Sequence, residues 1–214
     1  MSGNVHSDYT LTISGYLNMD EQGKLVGYYR NPTPSVRFMT SEGQTIREIE
    51  LPSSKFPNAN KRIAMGGIVV DLAHVFVAGA VEREILKITL DGTIESRISH
   101  RTSWFQDISR DIPSFNRANP AASIRASREL WGSATLTDSI FELTDQIIMV
   151  QYRGPKGLGY QLFTKDGLFV AEQLGVNYYF RQGKNGLVYR VVQPEPNDTG
   201  LPNPFIEVYQ FIEP

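Results

Sequence analysis

The sequence predicts an all-β protein, a β-propeller assembled from four-stranded antiparallel blades, and three observations carry that prediction. A hairpin signature occurs three times, as Thr40-Ser-Glu-Gly43, Thr89-Leu-Asp-Gly92 and Thr164-Lys-Asp-Gly167, each between arms rich in β-branched and aromatic residues. A second pair of strands precedes each hairpin, with turns near Gly23, Asp71 and Asp145 that lie about 20 to 22 residues before the hairpin glycine. The chain holds no convincing helical period, so the repeating unit is made of strands.

The hairpins come first because their chemistry is the most specific. A tight turn needs positive φ, which Gly supplies without steric cost and Asp tolerates, while the branched and aromatic arms suit a pleated strand. Upstream of them, Leu11 to Met19 precedes Lys24 to Arg30, Arg62 to Val70 precedes Val75 to Ala80, and Ser139 to Leu143 precedes Gln146 to Arg153. A fourth unit begins with Asn177 to Arg181 and Leu187 to Gln193, joined near Asn185-Gly186, and continues in Phe205 to Phe211. The four units span about 11–51, 62–99, 135–174 and 176–211 of one domain, 1–214, with residues 100–134 as an insertion. The last unit lacks its outer strand, and Asn4 to Tyr9 is a candidate to complete it, since propellers close by removing an exposed edge. A β-sandwich seldom repeats one hairpin at a fixed unit length.

Composition bounds the function. With 214 residues, 41% hydrophobic and 21% charged, the chain can bury a sizeable core. A net charge of -2 gives no global attraction for phosphate backbones, which excludes nucleic acid as the favoured partner. There is no Cys, hence no disulfide, thiolate metal site or cysteine nucleophile. No run approaches the roughly 20 apolar residues of a membrane span, and the N-terminus has no secretory signal pattern.

The Thr-x-(Asp/Glu)-Gly hairpins, the strand Gln146-Ile-Ile-Met-Val-Gln-Tyr152 and the closing Ile206-Glu-Val-Tyr-Gln-Phe211 resemble the bacterial six-bladed propeller family, relatives of NHL-repeat and TolB-like proteins. The resemblance covers all four units. It implies the propeller fold and, because members are often exported or surface-attached, a periplasmic or extracellular setting. A six-bladed member would need about two more blades of roughly 40 residues each. These motifs are turn and core residues, so they carry fold and little function.

Chemistry is sought in the insertion, which holds both tryptophans and five arginines: Arg101, Arg110, Arg117, Arg125 and Arg128. Long insertions on rigid scaffolds concentrate binding residues, and Trp with Arg is enriched at hot spots. The candidate ligand-binding set is Arg101, Trp104, Asp107, Arg110, Arg128 and Trp131. The competing structural reading has Trp104 and Trp131 covering the end of the inter-blade core, with the arginines solvated or paired to Asp107, Asp111 and Glu129. A short helix is predicted over Ala121 to Leu130, opened by Pro120.

His6, His74 and His100 have no zinc spacing, and His74 beside Asp71 is explained by hydrogen bonding across a turn. Asp20-Glu21 and Asn197-Asp198 are the candidate contributors to a calcium site; no cofactor is otherwise expected. No phosphate loop or nucleophile elbow is present. The Pro- and Asn-rich stretch from Gln193 to Pro204 reads as a rigid surface loop, and Tyr178, Tyr179, Tyr189 and Tyr209 as strand packing.

The functional expectation is a non-enzymatic binding or scaffold propeller that recognises a protein, peptide or glycan through its loops and the 100–134 insertion. The alternative is a metal-dependent lactonase, esterase or lyase of the six-bladed type, with carboxylates converging where the first strands start; Asn177 and Asp138 are the candidates there. Open blade edges also allow a homo-oligomer through strand addition.

Overall fold

The computed structural model describes residues 17–19, 25–29, 34–40, 44–62, 66–176, 178–182, 187–196, 200, 202–210 and 212. They form an all-β, propeller-like fold of four antiparallel sheets. The first sheet comprises β1 (Leu17–Met19), β2 (Leu25–Tyr29), β3 (Ser35–Met39) and β4 (Thr45–Glu50). The second comprises β5 (Gly66–Val70), β6 (His74–Gly79), β7 (Ile85–Thr89) and β8 (Ile94–Ile98). The third comprises β9 (Leu136–Glu142), β10 (Ile147–Gly154), β11 (Gly157–Thr164) and β12 (Phe169–Val176), and the fourth β13 (Arg181–Gln182), β14 (Leu187–Val192) and β15 (Phe205–Gln210). Every sheet follows chain order, as an up-and-down meander does. The strand proposed to complete the last unit, Asn4 to Tyr9, lies outside the described residues.

The first strands are neighbours. β5 contacts β1 and β9, and β9 also contacts β13, so the sheets fan out from a common inner line. Their faces meet in three cores. Val36, Phe38 and Ile49 of the first sheet meet Ile68, Val75, Val77 and Ile88 of the second. Phe76, Ala78, Ile85 and Ile98 meet Ile140, Ile148, Val150, Tyr152 and Phe163. Phe141, Ile147, Met149 and Leu162 meet Phe180 and Val188. Strand alternation accounts for this: odd residues of β6 face one neighbour and even residues the other, so the strand is apolar from Val75 onward.

The repeated threonine has a physical role in all three hairpins. Its Oγ1 accepts the amide N–H of the residue after the glycine position, from Gln44 at 3.2 Å, Thr93 at 3.1 Å and Leu168 at 3.0 Å. In the second and third hairpins the glycine has φ of 98° and 96°. It also lies against an isoleucine of the preceding sheet's fourth strand. A Cβ on Gly92 would meet Ile49 at 3.4 Å, and one on Gly167 would meet Ile98 at 3.2 Å. Turn chemistry and blade-to-blade packing therefore fall on the same residue.

Among the described residues two helices interrupt the strands. α1 (Pro57–Arg62) was not expected from the sequence, and α2 (Pro120–Ser133) extends beyond the predicted Ala121 to Leu130 at both ends. Asn119 caps α2 by accepting from the Ala122 N–H at 3.1 Å.

Gly66 and Gly157 separate two costs of replacing a glycine. Both have positive φ, but a Cβ on Gly66 would lie 2.2 Å from the Ala78 carbonyl oxygen, whereas one on Gly157 meets open space. Gly157→Ala is expected to lose only the left-handed backbone cost, roughly 1 to 2 kcal/mol. Gly66→Ala is expected to lose clearly more, read as the shift of the urea midpoint at constant m-value.

Candidate functional site

The first strands β5 and β9 begin at one end of the sheets, where three connections gather: residues 51–62 after β4, residues 80–84 between β6 and β7, and residues 99–135 after β8. The last is the insertion. Its base is pinned by reciprocal hydrogen bonds, Thr135 N–H to the Gln106 carbonyl at 2.8 Å and Gln106 N–H to Thr135 Oγ1 at 3.0 Å. Its middle is tied to α1 through Asp111, whose carboxylate accepts the Asn58 N–H at 3.0 Å and the Ala59 N–H at 2.9 Å. This explains a helix that its own sequence does not announce, because the cap comes from a distant residue. Ala59, Ala80, Val81, Ile112, Leu130, Ala134 and Leu136 then form a small separate core beneath the insertion.

These connections enclose a cleft of about 690 Å³ between the first two sheets and the insertion, lined by residues 51–56, 81–84 and 99–101 together with Phe105 and Asp107. That volume is the size of a small-molecule or short-peptide site. Its charged centre is a three-residue cluster. Arg83 Nη2 contacts Asp107 Oδ1, and Arg101 Nη2 lies 2.5 Å from Asp107 Oδ2, so one carboxylate bridges two guanidinium groups. The Arg83 guanidinium also sits 4.8 Å from the Phe105 ring centroid, and its Nη1 is buried without a hydrogen-bond partner among the described residues. Burial and the neighbouring Arg101 charge both lower the Arg83 pKa.

On either side of Arg83 in the chain, Glu82 accepts from the Ser54 hydroxyl and Glu84 pairs with Arg97 at 2.8 Å. Burial raises the Glu82 pKa above the ordinary glutamate value, in spite of Ser54 and the Lys55 amide.

The six residues singled out by sequence divide between several places. Arg101 and Asp107 meet in the cleft. Trp104 is only 7% exposed and stands behind it, in edge contact with Phe105 (4.4 Å between centroids) and Tyr152 (6.0 Å), as part of the core between the second and third sheets. Arg110 lines a second cavity, of about 460 Å³, under α2. Arg128 is exposed on α2. Trp131 is 37% exposed and lies under Arg153, whose guanidinium is 5.3 Å from its ring and 4.8 Å from that of Tyr179.

Arg83, the residue that completes the cluster, was missed by sequence. Its signal was the charged run Glu82-Arg83-Glu84 after the buried stretch Val75 to Val81.

Among the described residues no three His, Asp or Glu side chains gather as a metal site. Asp138 instead accepts from Gln151 Nε2 at 3.1 Å and lies 3.6 Å from Arg153. Asn177, Asp20, Glu21, Asn197 and Asp198 lie outside the described residues. His74 N–H donates to Asp71 at 2.7 Å across the β5–β6 turn. No described helix is long and apolar enough to cross a membrane.

No family model matches this chain, and neither does any curated protein. Solved structures do. A protein of unknown function from Bacteroides caccae is 11% identical with a TM-score of 0.53, the match covering 81% of this chain and 54% of that one. Virginiamycin B lyase from Staphylococcus aureus is 14% identical with a TM-score of 0.50, covering 91% of this chain and 54% of that one. At such identities the likeness is one of fold, the propeller-like arrangement of antiparallel sheets. This chain spans about half the length of each.

Glu82 supplies a test of the cleft's electrostatics. Its raised native pKa means that the folded state binds the proton more readily than the unfolded chain. Stability therefore falls as pH rises from the unfolded pKa through the folded one, and the loss is complete above it. Glu82→Gln keeps an acceptor for Ser54 and removes the charge. The variant is expected to melt at a higher temperature than wild type at pH 7, with the gap narrowing toward about pH 4 as the wild-type carboxyl becomes protonated.

Proposed function

We propose that this chain is a binding module of the propeller class, one domain whose blades span about 11–51, 62–99, 135–174 and 176–211. It holds its ligand in the cleft formed by the 51–56 and 81–84 connections and the first part of the 100–134 insertion. The observation that carries this reading is the cleft itself: about 690 Å³ on a rigid β scaffold, with Arg83, Asp107 and Arg101 at its centre. Within the earlier candidate set, Arg101 acts on the ligand, Asp107 holds Arg83 and Arg101 together, Trp104 holds Phe105 and the cleft wall in place, and Arg110 borders the neighbouring cavity. Arg128 and Trp131 belong to the outer surface of the insertion. The partner is a protein, peptide or glycan.

The blades are proposed to be of the NHL-like six-bladed type, on the support of the recurring Thr-x-(Asp/Glu)-Gly hairpin. The proposal includes self-association at the last sheet, supported by Ile206 and Val208 of β15, 63% and 61% exposed. Light scattering of the purified chain reads this, and a monomeric mass across the accessible concentrations removes it.

A binding screen tests the main reading. Peptides, oligosaccharides and divalent cations are titrated into isotope-labelled protein, with amide shifts and melting temperature as readouts. A true ligand is expected to perturb residues 51–56, 81–84 and 99–108, and at a hundred times its Kd to stabilise the fold by about 2.7 kcal/mol. Stabilisation by calcium or zinc, with shifts at the starts of the first strands, would instead favour the metal-dependent lactonase, esterase or lyase reading.

A further inference from the structure

The charges of the cleft do not balance, and the imbalance is localised. Glu84 is matched by Arg97 at 2.8 Å, and Glu82 is occupied by the Ser54 hydroxyl. Asp107 alone serves both Arg83 and Arg101. One carboxylate between two guanidinium groups leaves a positive charge, and Lys55 adds another cation to the lining; the Glu82 carboxylate, which a neutral hydroxyl does not cancel, offsets one of them, so the lining keeps a net positive charge. Arg83 Nη1, buried and without a partner among the described residues, is a donor that the fold has not satisfied. Unsatisfied buried donors are costly, so such a group marks a place where a further acceptor is favoured.

Resting on the binding reading above, we propose that the cleft takes an acidic peptide segment, whose side-chain carboxylate joins Asp107 as a second anion on the Arg83–Arg101 pair. Guanidinium groups suit a carboxylate through paired, charge-assisted hydrogen bonds. Phe105, the aromatic residue beside the charges, argues against a glycan. Sugar binding uses an open ring face, but Phe105 packs against Arg83, Trp104 and Tyr152, and Trp104 is buried. Phe56 and Leu51 supply an apolar floor beside the charges, which fits the methylene stem of a glutamate as well as its head.

The test uses the full chain and three N-acetylated hexapeptides, alternating Gly with Glu, Gln or Lys, with affinities measured by fluorescence anisotropy at two salt concentrations. The Glu peptide is expected to bind at least about tenfold more tightly than the Gln peptide, the Lys peptide least, and the preference to shrink at high salt. Arg101→Gln, at an exposed position where folding is not at risk, is expected to remove about tenfold of the Glu-peptide affinity. Asp107→Asn removes the competing carboxylate and is expected to raise that affinity, a gain that loss of structure would not produce. Melting curves confirm that both variants are folded.

Equal affinity for the three peptides, with amide shifts still confined to the cleft, would overturn the acidic-peptide inference and leave the binding reading standing. Absence of binding by every peptide and every member of the screen would overturn both. Glutarate binding as tightly as the Glu peptide would overturn the peptide assignment in favour of a free organic acid.

Discussion

Each interior sheet of this chain is apolar on both faces, and that constraint governs the rest of the structure. In β6 the residues Val75 and Val77 face the first sheet while Phe76 and Ala78 face the third; in β10 Ile147 and Met149 face the fourth while Ile148, Val150 and Tyr152 face the second. A sheet of this kind cannot shield itself from water, because covering one face leaves the other exposed. Stacking in series resolves the difficulty, and the twist of each sheet turns the stack into a fan around the first strands. The hairpin glycines belong to the same solution. Gly92 and Gly167 permit the turn and also leave room for Ile49 and Ile98 of the preceding sheet, so a larger residue there would disturb both.

Stacking decides where function can reside. The strand faces are consumed by packing, and the backbone of the interior strands is consumed by the ladders. Only the connections at the two ends remain free to vary. At one end the repeating turns are short and capped by their own side chains, Asp71 accepting from the amides of Ala73 and His74, and Thr144 from those of Gln146 and Ile147. At the other end the connections are long enough to carry two helices and a cleft. The insertion is held there by a reciprocal backbone clamp at its base, by the Asp111 contacts to α1, and by its own small core. Arg101 and Asp107 consequently sit on a supported segment, which is what gives their pairing with Arg83 a defined geometry.

The structural neighbours fit this division between scaffold and site. A protein of unknown function and a lyase share the stacked sheets with this chain at 11% and 14% identity. What they have in common with this chain is the fold alone, and a fold does not fix a function. The Arg83–Asp107–Arg101 cluster belongs to those connections, and its meaning has to be read from its own charges and contacts.

The architecture was legible in the sequence because its determinants are local. A threonine three residues before a glycine, an apolar run too short for a helix, and a fixed spacing between turns each act within one unit, and an all-β, propeller-like fold of antiparallel sheets follows from them. Within the insertion, Asn119 and Pro120 opened a helix by local capping, and the prediction of a helix there follows from the same kind of evidence. The site was legible only in part. Arg101 and Asp107 are close in sequence, but their partner Arg83 comes from the β6–β7 connection, where the charged run Glu82-Arg83-Glu84 marks a loop without saying which distant carboxylate it meets. Trp104 was equally ambiguous, since its fate depended on whether Tyr152 and the core between the second and third sheets would take it in. α1 owes its start to Asp111, which follows it in the chain by the whole of the second sheet. By itself the sequence determined the repeating strands and their turns, because those interactions close within a few residues. Tertiary structure alone decided which arginines share a carboxylate and which tryptophan enters the core, because burial and long-range charge pairing exist only once the sheets have stacked.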